Sequence, residues 1–150
     1  MPIDARAGIT IQCSRPQVAQ FLFDPANDHR WIGGVSQPAE RLDEGAFGEG
    51  SQVRRAAKFL GRTLDYTMTI TAYEPEKRLV METESGMPMT TTYFLQDAGD
   101  GATRVTIRNQ GGPGGLLGYF KHVFGFLLNR RVHRDLARLQ RILEGAGPTV

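Results

Sequence analysis

The chain has 150 residues, 40% of them hydrophobic and 23% charged, which is the size and balance of one globular domain burying roughly 70% of its unfolded surface. These values exclude a disordered or coiled-coil chain, and no apolar run approaches the ~20 residues that span a bilayer. A net charge of +2 gives no electrostatic case for nucleic acid, and the single cysteine, Cys13, excludes an internal disulfide framework and a multi-cysteine zinc site.

Met1–Arg6 lacks the apolar stretch of a secretory signal, so a cytoplasmic protein is expected. Residues 4–12 alternate weakly and predict a first strand. Ser14-Arg15-Pro16-Gln17 is a capping box: the Ser14 hydroxyl can accept from the Gln17 amide while the Gln17 side chain reaches back. Pro16 suits a first helical turn, and Val18, Phe21 and Leu22 give that helix one apolar face. Asp24-Pro25 stops it. A second short helix is expected over Asn27–Ile32, ended by Gly33-Gly34.

The period then changes to two. Strands are predicted at Val35–Leu42, Ser51–Leu60, Thr63–Tyr73, Arg78–Ser85, Met89–Gln96 and Thr103–Gln110, divided by turns at Glu44-Gly45, Gly61, Glu74–Lys77, Gly86 and Asp97–Gly101. Val53, Arg55, Ala57 and Phe59 share one phase, as do Leu64, Tyr66, Met68 and Ile70, and Met89, Thr91, Tyr93 and Leu95. Gly111–Gly115 is a flexible break without the lysine that a phosphate loop needs. Leu116–Glu144 lacks proline and predicts one long helix, with Gly145 as its terminating glycine.

Strands in one run with helices kept apart from them make an α+β domain. The long helix is the one element large enough to cover the sheet. Lys121, Arg130, Arg131, Arg134, Arg138 and Arg141 stand there against Asp135 and Glu144, so this segment is +4 and the rest of the chain −2. Its second half has a narrow stripe of Val132, Leu136, Leu139 and Leu143 opposite the arginines. Its first half is apolar over about 200° of the projection. The excess (Leu116, Tyr119, Phe120, Val123, Phe126, Leu127) is expected to fold over a cavity mouth, to meet a second copy of the chain, or to touch a lipid surface, in that order.

Five short motifs, in this order and spacing, carry a resemblance: Ser14-Arg15-Pro16-Gln17-Val18, Asp28-His29-Arg30-Trp31, Gly48-x-Gly50, the turn from Tyr73 to Leu79, and Asp135-Leu136-Ala137-Arg138-Leu139. Together they resemble the START-like helix-grip superfamily, in its polyketide cyclase/dehydrase and lipid-transport group (SRPBCC-type), over nearly the whole chain. The resemblance implies a single ligand-binding domain over 1–150. Its architecture would be a curved antiparallel sheet of six to seven strands, two short helices after the first strand, and a long C-terminal helix across the sheet. It implies binding, for transport or sequestration, of a hydrophobic or amphipathic small molecule between sheet and helix. Two alternatives stand beside it: a polyketide aromatase/cyclase or dehydratase, and an interaction module acting through the C-terminal helix.

Within that frame Phe59, Tyr66, Met68, Met81, Met89, Tyr93 and Phe124 are expected to line the cavity, a soft apolar wall suited to an irregular ligand. Phe120 and Lys121 would lie at its rim or inside it, and Trp31 would cap one end or anchor the second helix. Arg55 is the odd residue on an apolar face. If buried it needs an acid partner or an anionic ligand group; a strand bulge would turn it outward. Asp65, Glu82 and Glu84 alternate outward. No inward carboxylate stands out, and His29 is the one acid–base candidate, which weighs against an enzyme. Cys13 reads as a small apolar residue. His122 and His133 are about three helical turns apart and cannot share a metal. Neither a cofactor nor a metal is implied.

Overall fold

The computed structural model describes residues 3–59, 61–83, 88–111 and 121–146, with the backbone alone at 3, 59, 121–124 and 146. The elements are β1 (Ile3–Ile11), α1 (Arg15–Leu22), a 3-10 turn (Pro25–Asn27), α2 (Asp28–Trp31), β2 (Glu40–Arg41), β3 (Gln52–Phe59), β4 (Arg62–Glu74), β5 (Arg78–Thr83), β6 (Met89–Asp97), β7 (Thr103–Gly111) and α3 (Lys121–Ala146). All seven strands join one antiparallel sheet in the order β1-β7-β6-β5-β4-β3-β2. The expected α+β helix-grip architecture is therefore present.

Local chemistry sets the boundaries. The capping box at the start of α1 is formed, with the Gln17 amide donating to Ser14 Oγ and the Ser14 amide donating to Gln17 Oε1. Val18 and Leu22 are buried under it. Asp24 accepts from the Ala26 amide and opens the 3-10 turn that leads straight into α2.

Three expectations are corrected. The strand expected at Val35–Leu42 shrinks to the two residues of β2. Gly34 takes a φ of +84° and accepts from the Lys58 amide, Val35 turns back onto the Ile32 carbonyl, and Pro38 has no amide for a ladder. A Cβ at Gly34 would also strike the Lys58 carbonyl and the Arg131 guanidinium, so this corner requires glycine. Leu64 has the inward phase but is 42% exposed, because the first four residues of β4 are all exposed. Gly145 does not end the helix, which continues to Ala146. The last turns are held on the end of β1 and the two residues after it: Gln140 donates to the Thr10 carbonyl, Cys13 Sγ to the Leu143 carbonyl, and the Gln12 amide to Glu144. Residues 116–120 of the expected helix lie outside the described residues.

From β1 the helix crosses the sheet, and Arg131 reaches the Lys58 carbonyl of β3 near the other edge. The core lies between them. Ile11, Val18, Leu22, Trp31, Val53, Ile70, Leu136 and Leu139 are essentially fully buried there. Each such aliphatic side chain gains roughly 1.5–3 kcal/mol from burial. Leu139→Ala should cost ~2–5 kcal/mol by urea denaturation, since it opens a cavity under α3. Leu127→Ala, on the exposed side, should shift stability by less than ~0.5 kcal/mol.

Candidate functional site

The register of the sheet decides which side chains meet. Directly opposed residues of an antiparallel pair share a face. Val53 faces Met68 and Arg55 faces Tyr66 across β3 and β4. A bulge in β4 between Ile70 and Ala72 shifts the phase, so that Tyr73 falls on the face of Ile70. From there Leu79, Tyr93, Ile107 and Ala7 run in one row across β5, β6, β7 and β1. This is the face that α3 covers.

The short helix α2 closes one end. Residues three apart lie on one face of a helix, so whichever side buries Trp31 buries Asp28 as well. Both are buried, at 2% and 4% exposure. Trp31 packs edge-on against Tyr93 with ring centroids 5.9 Å apart. Its indole Nε1 is buried without a hydrogen-bond partner among the described residues.

Asp28 and Arg55 form a buried ion pair, with Arg55 Nη1 donating to Asp28 Oδ2 at 3.0 Å. Arg55 Nε donates to the Tyr66 hydroxyl at 2.7 Å, and Nη2 donates to the Met68 thioether at 3.3 Å. Its guanidinium carbon also lies 5.3 Å from the Tyr66 ring centre. Among the described residues two of its nitrogens have strong acceptors in Asp28 and Tyr66, the third lies on the Met68 sulfur, a weak acceptor, and the Tyr93 phenol stands close enough to feel the guanidinium.

Burial pushes the Asp28 carboxyl up to about 6 against the opposing pull of Arg55. Burial likewise carries the Tyr93 phenol far above its usual range, and the neighbouring Asp28 carboxylate adds to this. Arg55 keeps its charge. Burial opposes it, and Tyr66 and Asp28 more than offset that opposition.

A second set of contacts fixes the end of α2. The Gly33 amide donates to the buried Asp135 Oδ1 at 2.9 Å, and Arg138 Nη1 donates to the Trp31 carbonyl at 2.9 Å. The C-terminal end of α2 and the loop after it are thus both held from α3. A smaller polar pair shares the inward face, with Thr91 Oγ1 donating to Asn109 Oδ1 at 2.7 Å.

Of the sequence candidates, Trp31, Arg55, Tyr66, Met68 and Tyr93 come together around this pair. Met81 is buried on the same face opposite Ile70 and Thr91, and Met89 is half-buried opposite Thr83 and Gly111. Phe120 lies outside the described residues, and for Phe59, Lys121 and Phe124 only the backbone is described. The expectation that no carboxylate points inward is overturned by Asp28. It hid in a run of polar residues whose inward side is set only by the first residue of α2. Its spacing of three from Trp31 was the available signal. His29 is half-buried, and among the described residues its Nδ1 has no partner and no hydrogen bond joins it to Arg55 or Asp28. Cys13 is half-buried beside the Leu143 carbonyl. Among the described residues no three His, Cys, Asp or Glu side chains are placed to hold a metal ion.

The sign of the Asp28 effect on stability follows from its burial. The folded chain holds that proton up to about pH 6 and the unfolded chain only to about 3.8. Folding thus takes up a proton between these values, and the contribution to stability is lost as pH rises through them. The gap corresponds to ~3 kcal/mol at 1.36 kcal/mol per pH unit. Unfolding free energies of the native chain and Asp28→Asn should therefore diverge by about that amount between pH 4 and pH 7, the native chain losing ground. A constant difference would show a carboxyl of ordinary acidity.

A model of the family described as polyketide cyclase / dehydrase and lipid transport matches residues 2–144. No curated protein matches the chain in sequence. Among solved structures, the Zhui aromatase/cyclase of a Streptomyces species superposes with a TM-score of 0.84 at 12% identity, over 99% of this chain and 98% of that one. A Thermus thermophilus protein superposes with a TM-score of 0.80 at 16% identity, over 96% and 99%. The di-domain aromatase/cyclase BexL does so with a TM-score of 0.77 at 15% identity, over 97% of this chain and 47% of its own. At these identities the structural likeness establishes the helix-grip fold. The family match spans nearly the whole sequence, and the chain belongs to the polyketide cyclase/dehydrase and lipid transport family.

Proposed function

We propose that this protein binds an amphipathic small molecule between the concave face of the sheet and α3. The apolar body would lie on Met68, Met81 and Met89, and a carbonyl, enol or acidic group would be held by Arg55 with Tyr66 and Tyr93. The observation that carries this reading is the buried Arg55–Asp28 pair. A buried ion pair is weak support for a fold, since desolvation offsets most of its attraction. A buried charged donor that, among the described residues, rests one nitrogen on a thioether and stands on a mainly apolar face is suited to fixing the polar end of a ligand.

A second reading rests on Asp28. A carboxyl held at about 6 exchanges its proton near neutral pH, as a general acid or base must. Beside it, Arg55 and Tyr66 would stabilise charge developing on an enolate oxygen. That is the equipment for cyclisation or dehydration of a poly-carbonyl chain, and two of the structural neighbours are named aromatase/cyclases.

Trp31 is the only tryptophan of the chain, so its emission reports on this site. Anilinonaphthalene sulfonate, an apolar dye with an anionic head, should quench Trp31 on binding. Arg55→Met should weaken that binding roughly 10- to 100-fold, the worth of one hydrogen bond to a charged group. Tyr66→Phe, which spares the ion pair, should weaken it by less. Unchanged affinity in both variants would move the site away from Arg55. For the catalytic reading, Asp28→Asn should keep dye binding while abolishing turnover of a poly-β-carbonyl substrate.

A further inference from the structure

The outer face of α3 has a composition that neither the core nor the Arg55 site uses. Projected at 100° per residue, Phe126, Leu127, Arg130, Arg134 and Arg141 fall in one arc of about 100°, opposite the buried Leu136 and Leu139. Phe126 is 65% and Leu127 42% exposed, high values for large apolar side chains in a folded chain. The three arginines are exposed too, and none pairs with an acid among the described residues. The one acid near this arc, Glu144, lies in the last turn and accepts from the Gln12 amide. From Phe126 to Arg141 the stripe runs ~22 Å along the axis.

Charge and apolarity together select the occupant. A second copy docked on the same stripe would set arginines against arginines without an acid between them. A phosphate backbone alone would use the guanidinium groups and leave Phe126 and Leu127 without a role. An anionic bilayer uses both, with phosphates for the arginines and the headgroup–acyl boundary for the two apolar side chains. No described helix is long and apolar enough to cross a membrane, so contact would be along the surface.

We propose that the outer face of α3 docks this protein on anionic lipid bilayers, with Phe126 and Leu127 in the interface and Arg130, Arg134 and Arg141 on lipid phosphates. This surface is separate from the Arg55 site, so the proposal stands whether or not the interior holds a ligand.

Co-sedimentation of the full chain with vesicles tests it, using equimolar phosphatidylglycerol and phosphatidylcholine against phosphatidylcholine alone. The expected result is binding to the anionic vesicles only, weakened by salt, because exposed charges are screened within about 10 Å at 0.1 M and about 3 Å at 1 M. Replacing Arg130, Arg134 and Arg141 with glutamine should lower the partition coefficient more than about tenfold. F126S combined with L127S should lower it while leaving the melting temperature unchanged, since both side chains already face water. Failure of the native chain to bind anionic vesicles, or equal binding by both variants, overturns the proposal. So does a native dimer in sedimentation that F126S with L127S dissociates, which would assign the face to a second copy.

Discussion

The guanidinium of Arg55 is a full charge placed inside a hydrophobic core, and much of the interior is arranged to make that tolerable. Moving such a group out of water costs several kcal/mol unless its donors are met. Asp28 and Tyr66 meet two of its nitrogens. Because Asp28 sits on α2, the charge also decides where α2 must lie. Trp31 follows, three residues on, and lands on Tyr93. One strand residue therefore fixes a helix, an aromatic contact and the state of a carboxyl.

The long helix completes the arrangement from the opposite side. Asp135 and Arg138 hold the Gly33 amide and the Trp31 carbonyl. These contacts satisfy backbone groups that the short α2 leaves open at its end. The same helix is fastened to β1 by Gln140 and Glu144. The second half of α3 is thus tied to β1, to the end of α2 and, through Arg131, to the Lys58 carbonyl of β3, and the face with Arg55, Tyr66 and Tyr93 lies among these contacts.

Most of the fold was legible because its signals are local. The Ser14–Gln17 box, the turns and the period-two runs each follow from a few adjacent residues. What was not legible depended on distant partners. Alternation marks Leu64 as inward but does not say that this end of β4 runs past the core. No residue pattern announced the bulge that brings Tyr73 to the inner face. Val35 has the composition of a strand residue, yet its amide is taken by the Ile32 carbonyl and the Gly34 carbonyl before it by the Lys58 amide. At the site, the phases of Arg55, Tyr66, Met68 and Tyr93 could be read from the strands. Asp28 could not, because its orientation depends on where a one-turn helix begins, and that is set by Asp24 and the 3-10 turn before it.

The open sheet has two edges, and each is blunted in its own way. At one end β2 is only two residues long, too short to template a further strand. At the other, the last turns of α3 draw on the Thr10 carbonyl and the Gln12 amide next to the end of β1. Asp4 and Arg6 place charges along the remainder of that strand, with Asp4 bound to Arg108. Unprotected edges invite chain-to-chain pairing and fibril growth. The fastening of α3 therefore has a colloidal consequence as well as an architectural one: a chain whose helix came loose would expose a sheet edge together with its apolar face, and local unfolding at α3 is the step at which aggregation would begin.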